Sequence, residues 1–169
     1  MKKIHFSLAT LFAFLLLQTS CKEATDLCFK YSQGTTISTN AVAAPGDLTI
    51  TKSVANGLPQ ALTDKGVNVD KVSSIKVEQI TLTIPSTAGY TFADLSNAEL
   101  KANGQSMGKL PATAAGLTAT FDNPVSSDVK AIFLKSVNID FIFTATFKKA
   151  VAASTLDVKI PLNTCYQVL

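Results

Sequence analysis

Residues 138–149 read NIDFIFTATFKK, and Ile139, Phe141, Phe143, Ala145 and Phe147 occupy every second position. Successive side chains of a strand point to opposite faces, so this spacing predicts a strand with one buried and one solvated face. Ile142 falls on the polar parity, where an apolar side chain suits a covered edge or a contact with a partner. The stripe Phe141, Phe143, Phe147 reads as core packing, with an apolar ligand lying between sheets as the competing reading. LDVKIPL, residues 156–162, repeats the two-residue period. The short KKAVAAST between the two segments predicts that they pair as a hairpin.

In SSIKVEQITLTIP, residues 73–85, the apolar positions Ile75 and Val77 give way to Ile80, Leu82 and Ile84. A two-residue period changes parity only through an inserted residue, so a β-bulge or a crossing between sheets is expected near Glu78 and Gln79. Pro85 should end the ladder. Further strands are expected at 27–31, 35–43, 48–54, 98–103 and 117–121, with turns at Asn103-Gly104 and Asp122-Asn123-Pro124. Short helices fit at 59–65 and 128–135. In the second, Ser126 or Ser127 would cap, and Val129, Ile132 and Phe133 would face the core. Around eight short strands with regular turns predict an all-β fold, a two-layer antiparallel β-sandwich of immunoglobulin-like or jelly-roll type.

The chain begins MKKIHFSLATLFAFLLLQTSC. Lys2 and Lys3 form a positive head, Ile4 to Leu17 an apolar run, and Thr19 and Ser20 a small polar end, which is the layout of a secretory signal. The run is shorter than the roughly 20 apolar residues a membrane-spanning helix needs. Cys21 follows Ser20 directly, and LLLQTSC resembles the lipobox of bacterial lipoproteins, with Gln18 where an aliphatic residue is usual. The resemblance implies that residues 1–20 are removed and Cys21 is acylated; the competing reading is plain secretion with a free or disulfide-bonded Cys21. Several acyl chains on one residue hold a protein on a membrane. Lys22 and Glu23 resemble the signal that sends lipoproteins of Bacteroidota to the cell surface. The segments VDKVSSIKVEQITLTIP and TFADLSNAELKANG resemble, in strand rhythm, uncharacterised small β-sandwich lipoproteins of Bacteroidota, a likeness extending from about Val69 to Leu162. The implied organisation is a signal at 1–20, a lipidated tether at 21–26 and a single β-sandwich domain at 27–169.

Without its signal the chain keeps about 149 of 169 residues, and its formal charge falls from +3 to about +1. The only histidine is His5, inside the signal, and the sequence contains no arginine or tryptophan. Ser/His/Asp, Cys/His and His-ligated zinc chemistry is thereby excluded from the mature chain. Without the arginine fork for phosphate and guanine, neither nucleotide nor nucleic acid is an expected ligand. No Asp-x-Asp-x-Asp-Gly calcium loop occurs, which leaves open only a calcium site assembled from distant loops. No cofactor or metal site is expected. With Cys21 assigned to lipid, Cys28 and Cys165 remain, and in an oxidising compartment they read as a disulfide on an outer face or at an edge, with two separate buried thiols as the alternative.

Chemistry-bearing patterns are sparse. Ser73/Lys76, Ser106/Lys109 and Ser127/Lys130 match Ser-x-x-Lys, but that spacing places a strand pair on opposite faces, and Ser127 reads as a helix cap. The carboxylates closest in sequence are Asp94 with Glu99 and Asp64 with Asp70, the raw material of glycoside hydrolysis. Tyr90 and Phe92, just after Pro85 to Gly89, read first as packing under that loop, with display at its tip and contact with a partner as the competing reading. The expectation is a non-catalytic binding module anchored in the outer membrane by acyl chains on Cys21, with the cell surface favoured over the periplasmic face. It would serve as an accessory subunit of an outer-membrane protein complex or as an adhesin-like binder of a surface glycan. A carboxylate-based glycan hydrolase and a carrier of a lipid or other apolar ligand are the alternatives.

Overall fold

A computed structural model describes residues 25–43, 45–121 and 128–168. Along the chain run β1 (Thr25–Thr39), β2 (Gly46–Ala55), α1 (Leu58–Asp64), β3 (Val72–Val77), β4 (Thr81–Thr83), β5 (Leu95–Ala102), β6 (Gln105–Lys109), β7 (Thr118–Thr120), α2 (Lys130–Lys135), β8 (Asn138–Phe147) and β9 (Ser154–Val168). One antiparallel sheet has the order β1-β9-β4-β7, with β3 also paired to β9; the other has the order β2-β8-β5-β6. The fold is a two-layer β-sandwich. Between the layers lie Phe141, Phe143 and Phe147 of β8, facing Leu82, Ile160 and Leu162 of the first sheet, all at most 1% exposed. The alternation of β8 and β9 therefore predicts their buried faces.

The partner expected for β8 is different. β8 sits between β2 and β5, and β9 between β1 and the β3/β4 strand. The two do not form a hairpin. Period two tells which face of a strand is buried but not which strand lies beside it, and both edges of each are already taken. Residues 148–153 instead carry the chain from one sheet to the other. The matching crossover from β1 to β2 runs alongside, tied to it by two Val42–Val151 backbone hydrogen bonds of 2.9 Å.

The parity change in residues 73–85 has the predicted cause. β3 and β4 both run along β9, with Val77 opposite Leu162 and Thr81 opposite Lys159. Residues 78–80 thus face only residues 160 and 161, an extra residue that restores Ile80, Leu82 and Ile84 to the buried side. The break also accommodates Pro161 within a central strand. Its carbonyl accepts from the Glu78 N–H at 2.9 Å; since a residue's N–H and C=O share one side in an antiparallel ladder, the missing N–H falls at the break and costs the β1 side nothing.

Other elements differ in extent. The strands expected at 27–31 and 35–43 are one strand, β1, paired with β9 throughout. β6 carries one inward apolar side chain, Met107, too little to signal a strand. Asn103-Gly104 forms the β5–β6 turn, with positive φ at both residues (47° and 82°), as a primed hairpin turn requires. The turn expected at 122–124 and the caps expected at Ser126 or Ser127 lie outside the described residues. At α2 the Asp128 Oδ1 accepts from the Lys130 N–H at 2.9 Å and from the Ile75 N–H at 3.0 Å, fixing the helix to β3. Val129, Ile132 and Phe133 are buried, as the spacing predicts.

The two sheets are not coextensive. β2 ends at Ala55, whose carbonyl accepts from the Gln33 side chain at 3.4 Å. N-terminal to Gln33, the inner face of β1 is covered by α1, where the Cβ of an alanine at Gly57 would collide with the Tyr31 hydroxyl. Leu58 and Leu62 are the fully buried side of that helix.

Candidate functional site

Cys28 and Cys165 are bonded, closing a separation of 137 residues. They are direct cross-strand partners on β1 and β9, with Cα atoms 4.0 Å apart. By the ladder parity set at Pro161 this is a non-hydrogen-bonded pair, the kind that brings Cα atoms closest. Cys28 is exposed on the outer face of the first sheet. The lipid site expected at Cys21 lies outside the described residues.

Tyr90 and Phe92 are not displayed. They are 4% and 1% exposed; Phe92 is the buried residue of the short turn at 92–94, and Tyr90 lies between it and the turn at 86–88, whose Ala88 is also buried. The Tyr90 ring packs edge-on against Phe147 at 5.3 Å, and its hydroxyl bonds Thr39 and Ser154. Both side chains pack under their loop, the first of the two readings. Burial pushes the Tyr90 phenol above its ordinary value, against a smaller opposing pull from those hydroxyls. A group with a raised folded value supplies stability that is complete below ~10 and lost as pH rises through that value. The variant Tyr90→Phe should lose about 1 kcal/mol at neutral pH and show a shallower alkaline decline, read by denaturant unfolding between roughly pH 8 and 11.

Ile142 is half-buried on the outer face of the second sheet, between Thr51 of β2 and Lys101 of β5. It is an isolated apolar residue in a polar sheet. Both outer faces are mostly polar; Thr36 bonds Asp157 and Thr146 bonds Asp47, each at 2.6 Å. Among the described residues no aromatic side chain takes an outward position. The shallow pockets at the sandwich surface include one of about 290 Å³ beside Asn97, Lys109 and Lys148 and one of about 370 Å³ between α1 and α2.

Each carboxylate has partners of its own. Asp94 closes a capping box, its Oδ2 accepting from the Thr91 N–H at 2.9 Å, and pairs with Lys149 at 3.1 Å. The Thr91 bond, then the Lys149 contacts, hold its carboxyl below the usual range despite partial desolvation. Glu99 lies on the outer face of the second sheet, lowered first by Ser106 and then by Lys101 and Lys109. A general acid needs the opposite shift. Asp64 accepts from Gln60 on α1, and Asp70 follows the Asn68 cap of a separate turn. Ser73 occupies the β3 irregularity and Lys76 the exposed outer face, while Ser106 bonds Glu99; Ser127 lies outside the described residues. Among the described residues no group of three or more His, Cys, Asp or Glu could hold a metal, and no helix is long and apolar enough to cross a membrane.

The lowered values of Asp94 and Glu99 fix a sign. Stability from them is present above ~4 and lost as pH falls through their folded values. Unfolding midpoints should therefore drop on acidification from about pH 5 to 2, and drop less in Asp94→Asn/Glu99→Gln.

A feature not legible from periodicity lies at the free end of the β1–β9 pair. Leu27 is 47% exposed and Val168 44%, on the parity that elsewhere faces the core. Tyr166 is half-buried beside them, its ring edge-on to Phe29 at 6.3 Å.

No protein-family model and no curated protein matches the chain. Among solved structures, one titled Desmodium yellow mottle tymovirus aligns over 85% of this chain and 90% of its own, at 9% identity and a TM-score of 0.29. Likeness at that level carries no argument about this protein.

Proposed function

We propose that this chain is a lipid-anchored, non-catalytic binding module of the bacterial outer membrane, held by acyl chains on Cys21 and facing the cell surface. It serves there as an accessory subunit of a membrane protein assembly. The observation that carries the reading is the sequence from Lys2 to Cys21, a positive head and an apolar run too short to span, ending in Ser20-Cys21. Three further features support it. The Cys28–Cys165 bond is of the kind oxidising compartments sustain. From Cys21 onward the chain lacks histidine, arginine and tryptophan. The carboxyls of Asp94 and Glu99 are shifted away from acid–base use.

A protein partner is preferred to a glycan because the outer faces give a sugar ring no aromatic surface to stack on. A lipid carrier is disfavoured because Phe141, Phe143 and Phe147 occupy the space between the sheets where the ligand would lie. Purification of the tagged protein from its native envelope in mild detergent tests the reading. A stoichiometric integral membrane protein should co-purify; recovery of the acylated chain alone would overturn the subunit role.

A further inference from the structure

The inner face of the first sheet loses its cover before its strands end. α1 and the turn at 69–71 shield β1 and β9 as far as Phe29, where the Lys65 ammonium sits 5.1 Å from the ring centroid. Beyond that point Leu27 pairs with Tyr166, and Thr25 with Val168. The result is an apolar end, Leu27 and Val168, backed by a tyrosine and flanked by a lysine. Aliphatic side chains with an amphipathic ring and a long cationic stem are the combination that settles at a membrane–water boundary. The opposite end is different, since Asn40, Lys148 and Lys149 are exposed there.

We propose that this end of the β1–β9 pair is a membrane-contacting surface, with Leu27 and Val168 seated at the boundary between headgroups and acyl chains. The inference rests on the reading of Cys21 as the acylated residue. Four residue steps separate Cys21 from Thr25, a reach of at most about 14 Å at roughly 3.4 Å per residue. The anchor therefore keeps the start of β1 within about one headgroup layer or two of the hydrocarbon. The apolar end is the part of the described domain nearest that lipid by covalent connection. The sandwich would stand on the membrane with its crossover loops, residues 40–43 and 148–153, farthest out.

The test uses the full acylated chain in vesicles of phosphatidylethanolamine and phosphatidylglycerol containing a nitroxide-labelled lipid. Val168→Cys, Leu27→Cys and Ala152→Cys each add one thiol for an environment-sensitive dye, since Cys28 and Cys165 are bonded and Cys21 carries the lipid. Dye at 168 and at 27 should be quenched about threefold more than dye at 152, with a blue-shifted emission, as insertion at the interface requires. Equal, water-like emission at all three positions would overturn the proposal. So would a shift at 168 and 27 without lipid quenching, which would mean that a protein or a second copy covers this end. Intact mass on the same sample separates the two levels: an acylated chain with water-like dyes defeats only the contact surface, whereas an unmodified Cys21 defeats the anchoring reading and the contact surface with it.

Discussion

The double variant Cys28→Ser/Cys165→Ser is expected to lose about 3–5 kcal/mol of stability, the upper figure being the chain-entropy value for so long a closed loop. The bond joins residues 137 apart, and thus ties the first strand to the last. Its absence frees the unfolded chain far more than it alters the folded one, because β1 and β9 remain paired over their whole length from Thr25–Val168 to Thr39–Ser154. For a domain of this size the loss corresponds to a fall in Tm of about 8–15 °C. Thermal unfolding of the oxidised protein and the variant, monitored by circular dichroism, reads it directly. A change below about 1 kcal/mol would mean that the unfolded chain is already held compact by other means.

A comparable loss, about 3–5 kcal/mol, is expected for Phe143→Ala. Phe143 is 1% exposed at the centre of β8, opposite Ile50 of β2 and Leu100 of β5. The ring therefore lies at the middle of the strand that both neighbours depend on, where the surroundings are least able to collapse into the space left behind. Ile142→Ala, the adjacent residue on the outer face, should change stability by less than about 1 kcal/mol. The contrast between neighbours one residue apart, measured by urea unfolding, tests the alternation itself. Equal losses would contradict the placement of β8 as the middle of a buried layer.

The difference between those two residues also indicates what the sequence makes legible. Alternation along 138–147 and 156–162 identifies buried faces because burial is a local demand repeated every second residue. The inserted residue at 78–80 is legible for the same reason, since a period of two cannot change parity silently. Pairing is not local. Nothing in KKAVAAST distinguishes a turn back along the same sheet from a step across to the other, and the crossover is decided by strands far away in sequence. β6 escapes notice because a single inward Met107 carries too little pattern.

The candidate site follows the same division. The Cys28–Cys165 bond is legible because two cysteines are left once Cys21 is assigned to lipid. Tyr90 and Phe92 are open to two readings, because a proline and glycine stretch marks a loop without telling whether the aromatics beyond it pack beneath it or stand at its tip; both are buried, and the Thr91–Asp94 capping box holds the turn that contains Phe92. Leu27 and Val168 carry the inward parity of their strands, and only the end of α1 and the shorter second sheet reveal that nothing described lies over them.

The proposed function stands or falls with lipid on Cys21, and the deciding measurement is the intact mass of the protein extracted from its native membrane. The expected species is a chain beginning at Cys21, heavier than its residues by the mass of its acyl chains, and partitioning into the detergent phase. A mass equal to an unmodified chain, whether cut elsewhere or retaining residues 1–20, would contradict it.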